Sequence, residues 1–296
     1  MTAPPFHTEG RVAVEGGTIW YGVAGCPLGQ GGPPLIVVHG GPGMSHDYLI
    51  NLTDLGTGRP VIFYDQLDAG QSDRPNRPEN WHLPRYLGEL AHLRRALDLQ
   101  DVVVFGNSWG GTIAAAYAAT QPDGLAGVIL SSPLLHTDTW LADNGAYRAA
   151  LPADVRETMD RCEATGETET PAYLEAVDQF YERHFCRSTP WPAALTRTLE
   201  GINAPCYEGM WGPNEFTCTG VLQGYDGTPG LPLITAPCLV TCGRHDEATP
   251  DSTEAFAARI PHSRFEVFED ASHTAFIETR AAYMARLQDF LDSLIR

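Results

Sequence analysis

The sequence of 296 residues contains no lysine, and all 19 of its Lys-or-Arg positions are arginine. Without a lysine amine the chain cannot form a Schiff base with a carbonyl substrate, nor hold pyridoxal phosphate as an internal aldimine. Positive charge is scarce as well, because 37 acidic residues give a formal net charge of -18. A surface that binds nucleic acid needs a concentrated basic patch, so we expect no nucleic-acid partner.

Cysteine pairs at disulfide or zinc spacing are also missing. The seven cysteines are odd in number, widely spread, and include no C-x-x-C pair. We therefore expect reduced thiols in the core of the protein.

No apolar run reaches the length of a membrane span, and residues 1–5 show no basic flank leading into an apolar stretch. We therefore expect no membrane partner, no secretory signal and a cytoplasmic location. The hydrophobic content of 43% suits a packed core, and the length allows one large α/β domain with an insertion or two modest domains.

The apolar residues follow two periodicities in turn. Short buried runs predict β-strands, and apolar residues at helical spacing predict amphipathic helices between them. This alternation predicts an α/β fold with a mostly parallel central sheet flanked by helices on both faces. The predicted strands are a hairpin within residues 11–23 and runs at 35–38, 61–64, 102–105, 125–130, 238–242 and 265–268, and the main helices of this part span 84–99, 112–119 and 281–295.

The alternation stops after Pro133. Residues 134–225 contain helical stretches, such as 171–185, but no clear buried strand. We expect a helical cap domain here, inserted after the sixth strand, that covers the carboxyl edge of the sheet and supplies a substrate pocket. The predicted core domain is residues 1–133 and 226–296.

One connection from strand to helix carries a serine at its apex. The turn Gly106-Asn107-Ser108-Trp109-Gly110-Gly111 joins the strand at 102–105 to the helix at 112–119. Glycines relieve crowding in such a turn, and the amino terminus of the helix favours the negative charge that develops in acyl transfer. The turn predicts that Ser108 is a nucleophile; the alternative is a Gly-Ser turn that only joins two elements.

Two further residues are candidates to activate Ser108. A serine hydroxyl needs a base to remove its proton, and the base needs an acid to orient it. Asp246 and His273 each follow a predicted strand, and the chain order Ser108, Asp246, His273 is that of an α/β-hydrolase triad. Taken singly, Asp246 could cap a helix and His273 could be a loop histidine, but together they predict a catalytic triad.

A glycine-rich loop, His39-Gly40-Gly41-Pro42-Gly43, follows the strand at 35–38. Its small side chains let the main chain approach a substrate. We expect the N–H groups of Gly41 and Trp109 to form an oxyanion hole, although the loop could also be only a tight turn. His39 has no partner at metal-ligand spacing, and we expect it to fix the loop.

Six segments on both sides of the insertion and at its end carry a family resemblance: residues 39–43, 65–72, 106–111, 210–216, 243–250 and 272–273. Together they resemble the proline iminopeptidase (prolyl aminopeptidase) family of α/β-hydrolases. The resemblance implies an α/β-hydrolase fold and hydrolysis of the amide after a free amino-terminal residue. It also implies an aminoacyl-enzyme intermediate and no metal or cofactor.

The resemblance places Glu215 and Glu247 where the family has acidic residues that hold the substrate's α-ammonium. An ammonium among carboxylates is physically reasonable, because burying either charge alone would be costly. From the residues alone, Glu215 could be a solvated surface charge and Glu247 a helix-capping carboxylate. Where the family usually has Asp-Gln-Arg-Gly, this chain has Asp65-Gln66-Leu67-Asp68. Asp68 stands at the glycine position, and aspartate tolerates the left-handed backbone conformation that a glycine often marks.

The leading hypothesis is a serine aminopeptidase that acts on a small peptide or aminoacyl amide with a free amino terminus. The resemblance also covers amino-acid amidases and tailoring hydrolases that remove an aminoacyl group, such as alanyl, from a natural product such as a macrolactam. Epoxide hydrolases and dehalogenases share the fold but need a carboxylate where this chain has Ser108. Outside enzymes, the alternative is a ligand receptor built on the same scaffold.

Overall fold

The computed structural model describes residues 5–294, whose strands form one eight-stranded sheet. Every predicted strand is present, and the predicted hairpin is extended at both ends. The strands are β1 (Thr8–Val14), β2 (Gly17–Gly25), β3 (Leu35–Val38), β4 (Pro60–Asp65), β5 (Val102–Asn107), β6 (Leu125–Ser131), β7 (Cys238–Gly243) and β8 (Ser263–Phe268).

The strand order across the sheet is β1-β2-β4-β3-β5-β6-β7-β8. Strand β2 pairs with β1 on one side and with β4 on the other, both in antiparallel fashion, and every pairing from β4 to β8 is parallel. Parallel strands end at the same edge, so the loops after β3 to β8 meet there. This edge is where an open α/β sheet binds its ligands.

Ten α-helices lie within the described residues, and four of them correspond to the four helices predicted with residue ranges. The helix predicted at 112–119 begins earlier, at Trp109, directly after Ser108. The terminal helix ends at Ser293, and its predicted last residue, Ile295, lies outside the described residues. The helices are α1 (Leu83–Ala96), α2 (Trp109–Ala119), α3 (Thr137–Ala149), α4 (Ala153–Thr165), α5 (Pro171–His184), α6 (Ala193–Glu200), α7 (Ala204–Met210), α8 (Pro250–Ala257), α9 (Ala275–Glu278) and α10 (Arg280–Ser293).

The core lies on both faces of the sheet. Along β3, Ile36 and Val38 pack into one apolar cluster while Leu35 and Val37 pack into the other, and all four are fully buried. Successive side chains of a strand point to opposite faces, so a strand covered on both sides is apolar throughout. That is why these strands read as continuous apolar runs rather than as an alternating pattern.

Helices α3 to α7 all lie between β6 and β7, after the sixth strand as expected. The helix predicted at 171–185 is observed as Pro171–His184. Helices α4 and α5 contribute to a small apolar cluster of their own, which includes Met159 and Phe180. The structure thus places a helical segment between two neighbouring strands of the sheet.

All seven cysteines are free thiols, and six of them are buried. Among the helices of residues 5–294, none combines the length and the apolar character that crossing a membrane would require.

Candidate active site

The turn between β5 and α2 holds Ser108 in a strained conformation. Its φ is 55° and its ψ is -120°, a combination that costs a non-glycine residue on the order of 1–3 kcal/mol. A Cβ atom on Gly106 would clash with the Gly110 carbonyl, and one on Gly110 would clash with the Val38 carbonyl. Glycine is therefore required at both positions, and the half-buried serine is held at the carboxyl edge of the sheet.

His273 and Asp246 form a buried pair beyond β8 and β7. The His273 Nδ1 and Asp246 Oδ1 atoms are 2.8 Å apart, and both residues are almost completely buried. The Asp246 carboxylate also accepts hydrogen bonds from the backbone N–H groups of Gly243 (3.0 Å) and Ala248 (2.8 Å). These bonds fix the carboxylate so that it can orient the imidazole ring.

Ser131 and Ser132, at the end of β6, connect the serine turn to this pair. The Ser108 N–H donates to the Ser131 carbonyl at 3.0 Å, and the Ser132 hydroxyl donates to Asp246 Oδ2 at 2.6 Å. The Ser132 backbone has φ 48°, an uncommon value for serine. Ser132 was not predicted from the sequence, because a serine that follows a strand has no signal that distinguishes it from an ordinary loop residue.

The glycine loop after β3 approaches the serine turn closely. Gly41 has φ 42°, in the left-handed region, and a Cβ atom on Gly40 would crowd Ser108. Within residues 5–294, neither of the expected oxyanion donors, the N–H groups of Gly41 and Trp109, donates to a backbone carbonyl. No backbone carbonyl of the described residues therefore competes for these two N–H groups.

His39 is buried at the start of this loop and fixes it to the neighbouring one. Its Nε2 atom accepts the backbone N–H of Gln66 at 3.0 Å, and its Nδ1 atom lies 2.9 Å from the Gly40 carbonyl. Burial lowers the pKa of His39, which favours the neutral ring that can accept this bond.

Glu247 lies next to the histidine. Its Oε1 atom is 3.6 Å from His273 Nδ1, and its side chain is 1% exposed. Its other oxygen, Oε2, is buried and has no hydrogen-bond partner within residues 5–294. Desolvation, followed by the negative charges of Glu215 and Asp246, raises the pKa of Glu247 well above its ordinary value. A buried acceptor without a donor marks a place that a cationic group could fill.

Glu215 follows α7 and faces the same region. Its Oε1 atom accepts the Tyr207 hydroxyl at 2.5 Å, and its carbonyl accepts the Trp140 indole N–H at 3.2 Å. Desolvation raises the pKa of Glu215 as well. The Glu215 side chain is partly buried, and its exposed part faces a cavity rather than the outer surface. It is therefore not a solvated surface charge.

That cavity has a volume of about 240 Å³ and is mainly apolar. The Phe185 ring, in its wall, stacks against the His273 ring with centroids 5.8 Å apart, so one wall residue of the cavity contacts the histidine. Trp191 lines the cavity, whereas Trp140 and Trp211 are buried and pack edge-to-face. The lining residues are Met44, Asp178, Tyr181, Phe185, Trp191, Leu199, Ile202, Tyr207 and Glu215.

Asp68 occupies the left-handed position anticipated for the Leu67-Asp68 departure, with φ 68°. Its carboxylate accepts the Asn76 N–H at 2.7 Å and the Trp81 indole N–H at 3.0 Å. The aspartate therefore binds neighbouring chain segments, which a glycine could not do.

Comparisons with known proteins show the fold and family of the chain. A family model described as the alpha/beta hydrolase fold matches residues 33–279. The chain is 44% identical over 289 residues to a proline iminopeptidase of Heyndrickxia coagulans, an alignment that covers 97% of this chain and 100% of that protein. It is 38% identical over 263 residues to a proline iminopeptidase of Saccharolobus solfataricus, covering 88% of this chain and 85% of the other.

Two solved structures are similar over nearly the whole chain. The crystal structure of VinJ has a TM-score of 0.95 and 38% identity, covering 98% of this chain and 100% of VinJ. The crystal structure of a proline iminopeptidase from Mycobacterium smegmatis has a TM-score of 0.91 and 36% identity, covering 97% and 98%.

Proposed function

Because the chain belongs to the proline iminopeptidase family of α/β-hydrolases, we propose that it is a serine aminopeptidase that cleaves the amide bond after a free amino-terminal residue. One observation carries the proposal. A buried carboxyl group, that of Glu247, lies 3.6 Å from the histidine of the Asp246–His273 pair. The groups suited to bind an ammonium and to move a proton are therefore adjacent.

In the proposed mechanism, Ser108 Oγ attacks the substrate carbonyl while His273 takes the hydroxyl proton. The Asp246 carboxylate orients His273 and stabilises its positive charge. The N–H groups of Gly41 and Trp109 donate to the oxyanion of the tetrahedral intermediate. His273 then gives its proton to the leaving amine as the amide C–N bond breaks. Water, deprotonated by His273, hydrolyses the aminoacyl ester and regenerates the serine.

The substrate's α-ammonium is proposed to bind between Glu215 and Glu247. Ammonium–carboxylate hydrogen bonds are charge-assisted and stronger than neutral ones. Glu247 Oε2, which has no partner among the described residues, and the partly exposed Glu215 supply acceptors for them. Amine binding would thus relieve the unfavourable burial of two negative charges.

We propose residues 134–225 as the cap domain of this site.

The cavity supports a second candidate function within the same chemistry, namely removal of an aminoacyl group from a large apolar amine. Most of its wall comes from apolar and aromatic residues of the helical segment, such as Phe185 and Trp191.

Labelling with a fluorophosphonate probe tests the proposal. We expect the folded protein to be modified once, at Ser108, and to release arylamine from prolyl or alanyl arylamides. Ser108→Ala should abolish both the labelling and the hydrolysis. Ser132→Ala is the matched control, because it removes another buried hydroxyl of the site without removing the nucleophile, and should still be labelled. Failure of the folded wild-type protein to react at Ser108 would refute the mechanism.

A further inference from the structure

Two buried side chains outside the proposed catalytic groups bridge the glycine loop and the serine turn. The first is Tyr48, whose hydroxyl accepts the Gly40 N–H at 2.7 Å and donates to Asn107 Oδ1 at 2.6 Å. Gly40 immediately precedes one expected oxyanion donor, Gly41, and Asn107 immediately precedes Ser108. A single hydroxyl therefore joins the two walls of the expected oxyanion hole.

The second is Gln66, which is 1% exposed. Its Oε1 atom accepts the Trp109 indole N–H at 2.9 Å, and its Nε2 atom donates to the His39 carbonyl at 2.8 Å. Trp109 supplies the other expected oxyanion donor, and His39 begins the glycine loop. Gln66 therefore joins the same two walls through different residues.

The two bridges approach from opposite faces of the sheet. Tyr48 lies in the 3-10 helix His46–Thr57 and packs into one apolar cluster, whereas the Trp109 ring that Gln66 holds packs into the other cluster. The Trp109 ring also contacts Tyr86 edge-to-face at 5.2 Å. Because the two bridges lie on opposite sides, they resist both rotation and separation of the glycine loop and the serine turn relative to each other.

We propose that Tyr48 and Gln66 are positioning residues that set the spacing of the Gly41 and Trp109 N–H groups. The inference rests on the proposed function, in which those groups bind the oxyanion. Donors stabilise a transition state best when they are aligned before the charge develops. A fixed spacing would affect the tetrahedral intermediate far more than the bound substrate, whose carbonyl oxygen is not yet in the hole.

The expected effect is smaller than complete loss of a donor, which typically costs about 100- to 1,000-fold in kcat. Tyr48→Phe and Gln66→Met each remove a bridge while nearly keeping side-chain volume. We expect each to lower kcat on an aminoacyl arylamide by about 10- to 100-fold and to change KM by less than about threefold.

Tyr64→Phe is the matched control. Tyr64 is also fully buried, but its hydroxyl has no hydrogen-bond partner within residues 5–294. This variant should keep the wild-type kcat and KM. Urea unfolding of all three variants shows whether each is folded under the assay conditions, and if Tyr48→Phe does not fold, Gln66→Met tests the inference alone.

Inhibitor binding separates positioning from general damage to the site. An aminoacyl aldehyde adds to Ser108 as a hemiacetal whose oxygen occupies the oxyanion hole, whereas the free amino acid does not need that hole. We expect aldehyde affinity to fall in proportion to kcat and amino-acid affinity to stay constant. Unchanged kcat in both folded variants, or parallel loss of both affinities, would overturn the inference. Fluorophosphonate labelling of the wild-type protein is the separate check on the proposed function.

Discussion

Glu247 and Glu215 have raised pKa values because the fold removes their carboxyl groups from water, and for Glu247 also because Glu215 and Asp246 add negative charge nearby. They therefore stay protonated to higher pH than an exposed glutamate, whose pKa is about 4.3. A neutral carboxyl group does not attract an ammonium. We expect KM for an aminoacyl arylamide to rise as the pH falls through these raised values, measured by steady-state kinetics across pH.

An acyl ester that lacks the amine provides the control, since its KM should not follow this pH dependence. Glu215→Gln should raise KM for the amine substrate by about 10- to 100-fold at a pH above both pKa values, which corresponds to about 1.4–2.7 kcal/mol and is typical of one charged hydrogen bond. The same variant should hardly change hydrolysis of the ester. Equal losses on both substrates would contradict the role of Glu215.

Residues whose position follows from a strand end could be predicted from the sequence, and residues that act through packing could not. The sequence identified Asp246 and His273 because each follows a strand of the sheet. In the structure, Asp246 Oδ1 and His273 Nδ1 lie 2.8 Å apart. Tyr48 belongs to no motif, and its hydroxyl meets Asn107 only because the chain returns 59 residues later. Such a contact depends on tertiary structure rather than on local pattern.

At the scale of elements, the packing of α2 against β3 depends on one glycine. A Cβ atom at Gly110 would clash with the carbonyl oxygens of Val38 and His39, which are backbone atoms of the sheet and its loop. We expect Gly110→Ala to destabilise the protein by about 1–3 kcal/mol in urea unfolding, since overpacking outweighs the ~1 kcal/mol that alanine gains in a helix.

Gly145→Ala, within α3, is the opposite case. A Cβ atom there meets no atom of residues 5–294 within 4 Å, so the variant should be more stable by about 0.5–1 kcal/mol. A Gly110→Ala protein as stable as Gly145→Ala would show that the start of α2 can move away from β3.

The strands and the four helices predicted with residue ranges are present, but an element that supports the site was not predicted. The 3-10 helix His46–Thr57 buries Tyr48, Leu49, Leu52 and Leu55 but was not predicted. Its apolar residues lie among aspartate, asparagine, threonine and glycine, and a 3-10 helix does not follow the 3.6-residue spacing used to recognise an α-helix. The oxyanion region therefore rests on an element that the periodicity of the sequence does not indicate.

At the scale of the whole molecule, the site combines two parts of the chain. The sheet and its loops hold Ser108, Asp246 and His273, whereas α5 to α7 and their connections supply most of the cavity wall. The proposed chemistry thus belongs to the sheet edge, and the choice of leaving group is expected to belong to the helical segment. Mutations in the helical segment should therefore change the preference for the leaving group without removing the hydrolytic activity.

A series of alanyl amides with progressively longer alkyl amine leaving groups measures this choice. Burial of each methylene stabilises binding by about 0.8 kcal/mol, so KM should fall about fourfold per added carbon until the cavity of about 240 Å³ is full. Leu199→Trp, in the cavity wall, should remove this gain for long amines and spare the shortest one. Leu174→Trp, at an exposed position (49%) outside the cavity lining, is the control and should follow the wild-type series. A KM independent of chain length in the wild-type protein would show that the leaving group does not occupy this cavity, and would favour a peptidase that holds its leaving group in solvent.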